Sequence, residues 1–250
     1  MATQKNLTAA ALLGSALWAG CTSGQEPGGG DDGAGNGVTL TGSDGTTTTD
    51  ITAPVFPSAH PRIYLTPNRA RLSAALTART SAATRFQAIV DQWMAGADIW
   101  GFEAWNAALL SQLTDSTGYC TKAVATIESQ VVTAEAKIAA NQAPVVAADS
   151  YLEIGGLIGD LALVYDWCFP QTSAAQRTRW LKYADQAVWN VWHNTSAKWG
   201  NATIPWSGWA VNDPSDNYYY SFLRATMLLG LASKGEDAQA DAWITQFHDT

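Results

Sequence analysis

Beyond residue 60, apolar residues recur every three or four positions in one segment after another, and no segment shows the strict alternation of a half-buried strand. This spacing is that of an amphipathic α-helix, which buries one apolar stripe. The segments are 66–96, 102–113, 118–141, 149–166, 174–193, 213–233 and a last one from about 237. The pattern therefore predicts an all-α domain of about seven helices over residues 60–250.

Three of these helices begin at capping signals. Thr66 and Pro67 predict an N-cap followed by proline at the first helical position. Ser173 and Gln176 have the spacing of a capping box, and Asp213, followed by proline and two further polar residues, predicts the start of the helix that contains three consecutive tyrosines. The last helix reaches Thr250 without a terminal signal, so the domain is predicted to continue beyond this chain.

The segment 149–166 is the most apolar helix and contains Gly155, Gly156 and Gly159. Glycine in a helix interior costs about 1 kcal/mol relative to alanine. Three glycines therefore predict an inner helix that packs closely against neighbours on several sides. Alternating inner and outer helices predict helical hairpins in a ring or solenoid, and the lack of a fixed sequence period disfavours a simple repeat array.

The N-terminus resembles a bacterial lipoprotein signal. Lys5 precedes an apolar stretch too short to span a bilayer, and Cys21 follows at the position that is lipidated after cleavage. Residues 1–20 are thus predicted to be a signal peptide. The protein is predicted to be exported and lipid-anchored at the outer membrane or cell surface. The alternative is cleavage near Gly20 and a secreted or periplasmic protein.

Residues 21–55 are rich in Gly, Asp and Thr and contain few apolar residues, which predicts a flexible linker. Such a linker would hold the domain about 30 Å from the membrane. In an oxidising compartment Cys120 and Cys168 can form a disulfide, or they can remain two separate buried thiols.

The chain has 22 acidic and 14 basic residues, so nucleic acid is excluded as a partner. Its three histidines, His60, His193 and His248, are far apart in sequence, and therefore neither a zinc site nor another cofactor is predicted.

Six of the twelve tryptophans lie between Trp180 and Trp209, and the three tyrosines 218–220 follow. Flat aromatic faces stack on sugar rings. Trp206 and Trp209 flank a glycine in a proline-containing loop, so they are predicted to bind a sugar; the alternative is that they only cover the domain surface. Trp189 and Trp192 are predicted to be helix core.

Three segments carry a family resemblance. Residues 60–67, 161–167 and 172–177 resemble motifs of heparinase II/III-like and alginate-lyase-like polysaccharide lyases, and the resemblance covers roughly residues 60–235. It implies an incomplete (α/α) toroid, of which this chain would supply about half, followed by β-sandwich domains. It also implies an acidic polysaccharide as substrate. Where the family has a catalytic Asn-His pair, this chain has Asn217 and Tyr218, and the family's later Tyr and His would lie past Thr250.

The resemblance implies β-elimination with Asn217 in the place of the family's neutralising Asn, and the chemistry of the reaction makes Tyr218 and Tyr219 the further catalytic candidates. Asn217 would neutralise the substrate carboxylate from the first turn of a helix, and a tyrosine would act as base or acid. Successive helix residues point about 100° apart, so at most two of the tyrosines can face one cleft. Tyr220, Arg177, Trp206 and Trp209 are predicted to bind substrate.

Two other functions stay open. Glu153 and Asp160 are seven residues apart on one helix face, which is compatible with the carboxylate pair of a glycoside hydrolase. In the alternative interpretation Glu153 interacts with the helix dipole and Asp160 bonds to a neighbouring helix. The remaining possibility is a non-catalytic surface lipoprotein that binds glycans.

Overall fold

The computed structural model describes residues 56–250 and, before them, the backbone of two strands, β1 (Gly37–Thr41) and β2 (Thr47–Thr52), which pair in antiparallel fashion. The strands belong to a unit that ends at Val55, and Phe56–Thr250 forms a second unit. The sequence predicted no strand here; β-branched residues, mostly threonine, favour extended backbone. The predicted signal peptide, Cys21 and the rest of the linker lie outside the described residues.

Residues 56–250 are mostly helical, in agreement with the predicted all-α class. The helices are α1 (Leu65–Thr77), α2 (Ser81–Met94), α3 (Trp105–Thr114), α4 (Thr117–Ala139), α5 (Ile154–Trp167), α6 (Ala174–Trp192), α7 (Asn217–Ser233) and α8 (Ala240–Asp249). Short 3-10 turns cover Val145–Tyr151, Phe169–Gln171 and Asn194–Ser196. A small hairpin, β3 (Lys198–Trp199) and β4 (Ala202–Thr203), follows α6. Within this part of the chain, no helix has both the length and the apolarity needed to cross a membrane.

The predicted helix over 66–96 is two helices. The backbone of Arg79 takes a left-handed conformation with φ 51°, and Thr80 then caps α2 by accepting a hydrogen bond from Ala83 N at 3.3 Å. The predicted N-cap at Thr66 is also wrong, because α1 already begins at Leu65 after Tyr64 with φ 64°. Pro67 is tolerated there, since the first four N–H groups of a helix have no intrahelical partner.

Two other helix starts differ from the sequence prediction. The segment predicted to open α5 from residue 149 is a 3-10 turn in which Asp149, Ser150 and Tyr151 all have positive φ, so α5 begins only at Ile154. The N-cap of α7 is Asp216, which accepts from Tyr218 N at 2.9 Å. The predicted cap, Asp213, instead accepts from the backbone and hydroxyl of Ser215 in a local turn, which competes with helix capping.

Helix α5 is the centre of the domain and contacts α3, α4, α6 and α7. The predicted inner helix is therefore present. A Cβ atom at Gly155 would lie 2.8 Å from the backbone oxygen of Ser221 on α7, and one at Gly159 would lie 3.2 Å from Arg224 Nε. These two glycines allow the close approach of α5 and α7. Gly156 differs, because carboxylate groups rather than a helix lie beside it.

The side-chain contacts show the helix directions. The start of α3 meets Asp160 of α5 and its end meets Trp167, so α3 runs parallel to α5. Helix α7 is also parallel to α5, because early residues of α5 meet early residues of α7 and later ones meet later ones. Helix α4 runs the opposite way, with its start near Trp167 and its middle near Leu157. The N-terminal ends of α3, α5 and α7 therefore point to the same end of the domain.

The opposite end of α5 is tied to the segment that precedes α1. The carboxylate of Asp166 accepts from Ile63 N at 2.9 Å and from Arg62 N at 3.0 Å, and it contacts His60 Nδ1 at 2.6 Å. Trp167 donates its indole N–H to Ile63 O at 3.1 Å. These bonds hold residues 60–63 against the end of α5.

Cys120 of α4 and Cys168, which follows α5, form a disulfide with a Cα–Cα distance of 5.5 Å. Of the two states that the sequence left open, the structure has the paired one. Both cysteines are fully buried.

Candidate functional site

Polar and aromatic side chains collect at the end of the domain where α3, α5 and α7 begin. We call this surface the acidic face. It consists of Glu103, Asp149, Glu153, Asp216, Trp209, Tyr218 and Arg224. Glu103 comes just before α3, Glu153 is the N-cap of α5, and Asp216 is the N-cap of α7. Acidic side chains at helix N-termini are stabilised by the helix dipole and the free N–H groups.

Two carboxylates approach each other across Gly156. A Cβ atom on Gly156 would lie 3.2 Å from Oε1 of Glu103 and 3.9 Å from Oε2 of Glu153. The two oxygens are therefore at most about 7 Å apart, a limit that is compatible with a glycosidase carboxylate pair. A side chain at position 156 would crowd Glu103, so the glycine keeps the space between the two acids open.

The two acids are held differently. Oε2 of Glu103 accepts from Arg224 Nη2 at 3.0 Å and from the indole N–H of Trp105. The side chain of Glu153 is exposed and makes no hydrogen bond or ion pair within residues 56–250. Glu103 is thus fixed in place beside a cation, whereas Glu153 is free to contact a bound molecule.

Tyr218 lies half-buried in the first turn of α7. The neighbouring carboxylate of Asp149 raises the pKa of Tyr218, and partial desolvation and the charges of Asp216 and Glu153 act in the same direction. Tyr218 is therefore suited to donate a hydrogen bond or proton rather than to act as a base.

Trp209 packs on Tyr218, with ring centroids 4.9 Å apart and planes tilted by 59°. Its side chain is still 50% exposed, in the loop that leads to α7. Gly208, with φ 65°, precedes it, and a Cβ there would overlap the amide of Asn194. The glycine thus permits the turn that presents Trp209 to solvent.

Asp160 is not part of the acidic face. Its side chain is buried, with 7% exposed. Its two oxygens accept hydrogen bonds from Ala104 N at 2.8 Å and Trp105 N at 2.6 Å, so Asp160 caps the start of α3. Burial raises the pKa of Asp160 to about 7, although both backbone hydrogen bonds oppose that shift. The predicted pair of Glu153 with Asp160 is not brought together, and the arrangement corresponds to the alternative interpretation of Asp160.

The structure places the other predicted residues of α7 in different surroundings. Asn217 is exposed as the first residue of α7 and adjoins the acidic face. Tyr219 is buried and donates to Thr250 O at 2.9 Å, and Tyr220 is exposed but donates to Pro214 O at 2.9 Å. Only Tyr218 of the three contacts the acidic side chains, as expected for residues that point about 100° apart.

Two predicted substrate-binding residues lie elsewhere. Trp206 is half-buried, donates to Asn190 O at 3.0 Å and packs against Tyr151 and Phe222, so it supports the loop from inside. Arg177 packs on Phe169 and donates to Thr172 O at 2.5 Å beyond the far end of α5. Since α5 has 14 residues, that end is about 20 Å from the acidic face. Arg179, the other arginine at the start of α6, is paired with Glu128 at 2.6 Å and with Glu135.

Sequence reasoning missed Glu103, Asp149 and Arg224. They come from a loop, a 3-10 turn and the middle of α7, and Glu103 and Arg224 are separated by 121 positions. No local motif marks them. The one signal in the sequence that could have indicated these residues was Gly156, a glycine within α5 that does not contact a neighbouring helix.

The chain matches no protein-family model, no curated protein and no solved structure. The residues of the acidic face are therefore the basis for any statement about function.

Proposed function

We propose that this protein binds a neutral polysaccharide at the acidic face and hydrolyses it as a glycoside hydrolase on an (α/α) toroid scaffold. One observation carries the proposal: Glu103 and Glu153 both lie beside Gly156, and the charge of Glu153 reaches Tyr218, on which the half-exposed Trp209 packs. Glycosidases use a pair of carboxyl groups for catalysis, together with an aromatic residue that stacks on the sugar.

The surroundings of the two acids suggest their roles. Arg224 stabilises the charge of Glu103, so Glu103 is assigned as base or nucleophile. Glu153 has free oxygens at the end of α5 and is assigned as the acid that protonates the leaving oxygen. Tyr218 would donate a hydrogen bond to a sugar hydroxyl from its position beside Asp149.

The charge of the acidic face argues for a neutral substrate. Four carboxylates surround Tyr218 and Arg224, and a polyuronate would be repelled by them. The basic residues Arg177 and Arg179 do not offset this, because both are engaged away from the face.

A polysaccharide lyase is the second candidate. It is favoured by the exposed amide of Asn217 in the first turn of α7, directly before Tyr218, where an anionic group can be bound. In such a reaction Tyr218, with its raised pKa, would act as the acid on the leaving oxygen rather than as the base.

The scaffold supports a toroid class. Helices α3, α5 and α7 are parallel, and α4 returns antiparallel on the outside of α5. Two segments with lyase-like motifs, residues 60–67 and 161–167, contact each other through Asp166 and Trp167. The buried disulfide suits an oxidising compartment and so supports export, with anchoring through Cys21 as part of the proposal.

The test uses neutral glycans of the cellulose, xylan, mannan and starch types, together with alginate and heparin-type chains. We expect new reducing ends from a neutral glycan, and loss of this activity in Glu103→Gln and Glu153→Gln. Glu135→Gln on α4 is the matched control and should retain activity.

Each outcome has a defined meaning. Ultraviolet absorbance from an unsaturated uronate would establish the lyase instead. Binding without either product would leave a glycan-binding protein. Full activity in both glutamine variants, or no binding to any glycan, would overturn the proposal.

A further inference from the structure

A cavity of about 670 Å³ lies between α6 and α8. Its lining on α6 includes Lys182, Asp185 and Trp189, which are three and four residues apart and so share one face of the helix. Trp243 of α8 and Asp237 in the loop before α8 also line it. The volume is that of a small-molecule binding site, and none of these residues belongs to the acidic face.

Two lysines at this cavity have side chains without a protein partner. Lys122, Lys137 and Lys234 each donate to a protein oxygen. Within residues 56–250, Lys182 on α6 and Lys198 on β3 are the lysines whose ammonium groups make no hydrogen bond or ion pair, and both line the cavity. Their N–H groups are therefore available to a bound molecule.

The indole ring of Trp189 is fixed beside one of these ammonium groups. His193 stacks on the ring, with centroids 4.2 Å apart and planes tilted by 5°, and is itself held by a contact of its Nδ1 with Trp189 O at 2.9 Å. Nζ of Lys198 lies 5.9 Å from the centroid of the indole. Since His193 covers one face of the half-buried ring, the other face is the one on which a ligand ring can stack.

The carboxyl groups of the cavity balance the charge of the lysines. Asp185 Oδ1 accepts from Trp243 Nε1 at 2.8 Å, and Asp237 lies next to Asp185. An anion bound by Lys182 and Lys198 would share the cavity with these carboxyl groups, and a cation would share it with the lysines. A neutral ligand with several hydroxyl groups avoids both conflicts, because each hydroxyl can accept from an ammonium group and donate to a carboxylate.

We propose that this cavity is a second carbohydrate-binding site, which takes a short neutral saccharide with one sugar ring on Trp189 and its hydroxyl groups on Lys182 and Lys198. A sugar ring combines an apolar face with a rim of hydroxyl groups, which matches an indole wall beside polar side chains. Binding here does not require hydrolysis at the acidic face, because the two sites have no residue in common.

Binding is measured by calorimetry with cello-, xylo-, manno- and malto-oligosaccharides, and with oligogalacturonate as an acidic probe. The full chain with Glu153→Gln is the reference, so that no ligand is cleaved during the titration. We expect two sites per chain for a neutral series. Adding Lys182→Gln and Lys198→Gln together should weaken one site at least about tenfold, because hydrogen bonds from charged donors are lost. Trp189→Leu should weaken the same site, and Trp209→Ala only the other.

Arg85→Gln, which removes an exposed cation on α2, is the matched control and should bind like the reference. Folding is checked by thermal unfolding. The double lysine variant should unfold at the reference temperature, because both side chains are exposed and make no bond to the protein.

The variants separate this site from the acidic face. A single site that Trp209→Ala removes and the double lysine variant leaves intact would overturn the cavity site, while the proposed function stands. A single site with the reverse behaviour would support the cavity and contradict sugar binding at the acidic face. Lysine-dependent binding of oligogalacturonate alone would overturn the neutral ligand. Absence of any binding would overturn both proposals.

Discussion

Arg224 on α7 forms an ion pair with Glu103, with Nη2 and Oε2 3.0 Å apart, and so connects α7 to the loop before α3. Helix α5 lies against both α3 and α7, and its N-cap Glu153 faces Glu103 across Gly156. The position of Glu103, one of the two candidate catalytic residues, therefore depends on Arg224 of α7.

Arg224→Met should lower glycan hydrolysis about ten- to a hundredfold, because Glu103 loses the partner that fixes its position and charge. The side chains are 40% and 28% exposed, so the free energy of unfolding should change by no more than about 1 kcal/mol. Turnover and urea unfolding measure the two effects. Arg69→Met, which removes the exposed ion pair to Asp115, is the control. Unchanged turnover in Arg224→Met would contradict the role of the ion pair.

Asp185 on α6 and Asp237 before α8 lie close enough to interact, and Oδ2 of Asp237 is buried without a hydrogen-bond partner among the described residues. Asp185 Oδ1 also accepts from Trp243 Nε1 at 2.8 Å. Burial, with a smaller contribution from Asp237, raises the pKa of Asp185 to about 7. Between about pH 4 and 7 the folded protein therefore binds a proton that the unfolded chain releases. This contribution to stability should be present in acid and should decline as the pH rises through that range.

Asp185→Asn tests this pair. The amide can donate to Asp237 and accept from Trp243, so it reproduces the protonated carboxyl group at every pH. The variant should match the wild type near pH 4 and exceed its stability at pH 8 by on the order of 4 kcal/mol. Urea unfolding at both pH values measures the difference. Asp249→Asn, on the exposed end of α8, should follow the wild type. Parallel pH curves for wild type and Asp185→Asn would refute the raised pKa of Asp185.

Asp160→Asn, unlike Asp185→Asn, should reduce the stability of the protein. Both carboxylate oxygens of Asp160 accept backbone N–H groups of Ala104 and Trp105, and an amide offers only one oxygen. One N–H would then face another donor in a buried position, which should reduce stability by about 1–3 kcal/mol. Glycan hydrolysis should also fall, since Glu103 directly precedes these residues. Equilibrium unfolding and turnover check both effects, and wild-type values for both would show that the cap is dispensable.

Removal of the disulfide by Cys120→Ala with Cys168→Ala should reduce stability by about 4 kcal/mol, because the bond closes a loop between residues 48 positions apart. The same loss should appear when the wild type is unfolded in the presence of a thiol reductant. Cys21→Ala serves as the control. Equal unfolding midpoints for wild type with and without reductant would contradict a stabilising bond.

The features predicted correctly from the sequence are those in which the interacting residues are close together in the chain. The capping box of Ser173 and Gln176 is present with both of its hydrogen bonds, and α6 follows as expected. The glycines of α5 predicted an inner helix, and Gly155 and Gly159 indeed allow α7 to approach. Helical periodicity and caps depend on contacts within one or two turns, which the sequence contains directly.

Where several local solutions compete, the sequence was insufficient. Asp213 and Asp216 are both adequate caps, and only the hydrogen bonds of the loop selected Asp216. The break between α1 and α2 at Arg79 has no glycine or proline to mark it.

The sequence by itself determined a helical domain with a central, glycine-containing helix, because these properties follow from apolar spacing and from the size of single side chains. Only the tertiary structure decided which charged residues meet. Glu103, Glu153 and Arg224 come from three segments that are joined solely by the parallel packing of α3, α5 and α7. That packing is the sum of many long-range apolar contacts, and therefore no local pattern in the chain reports it.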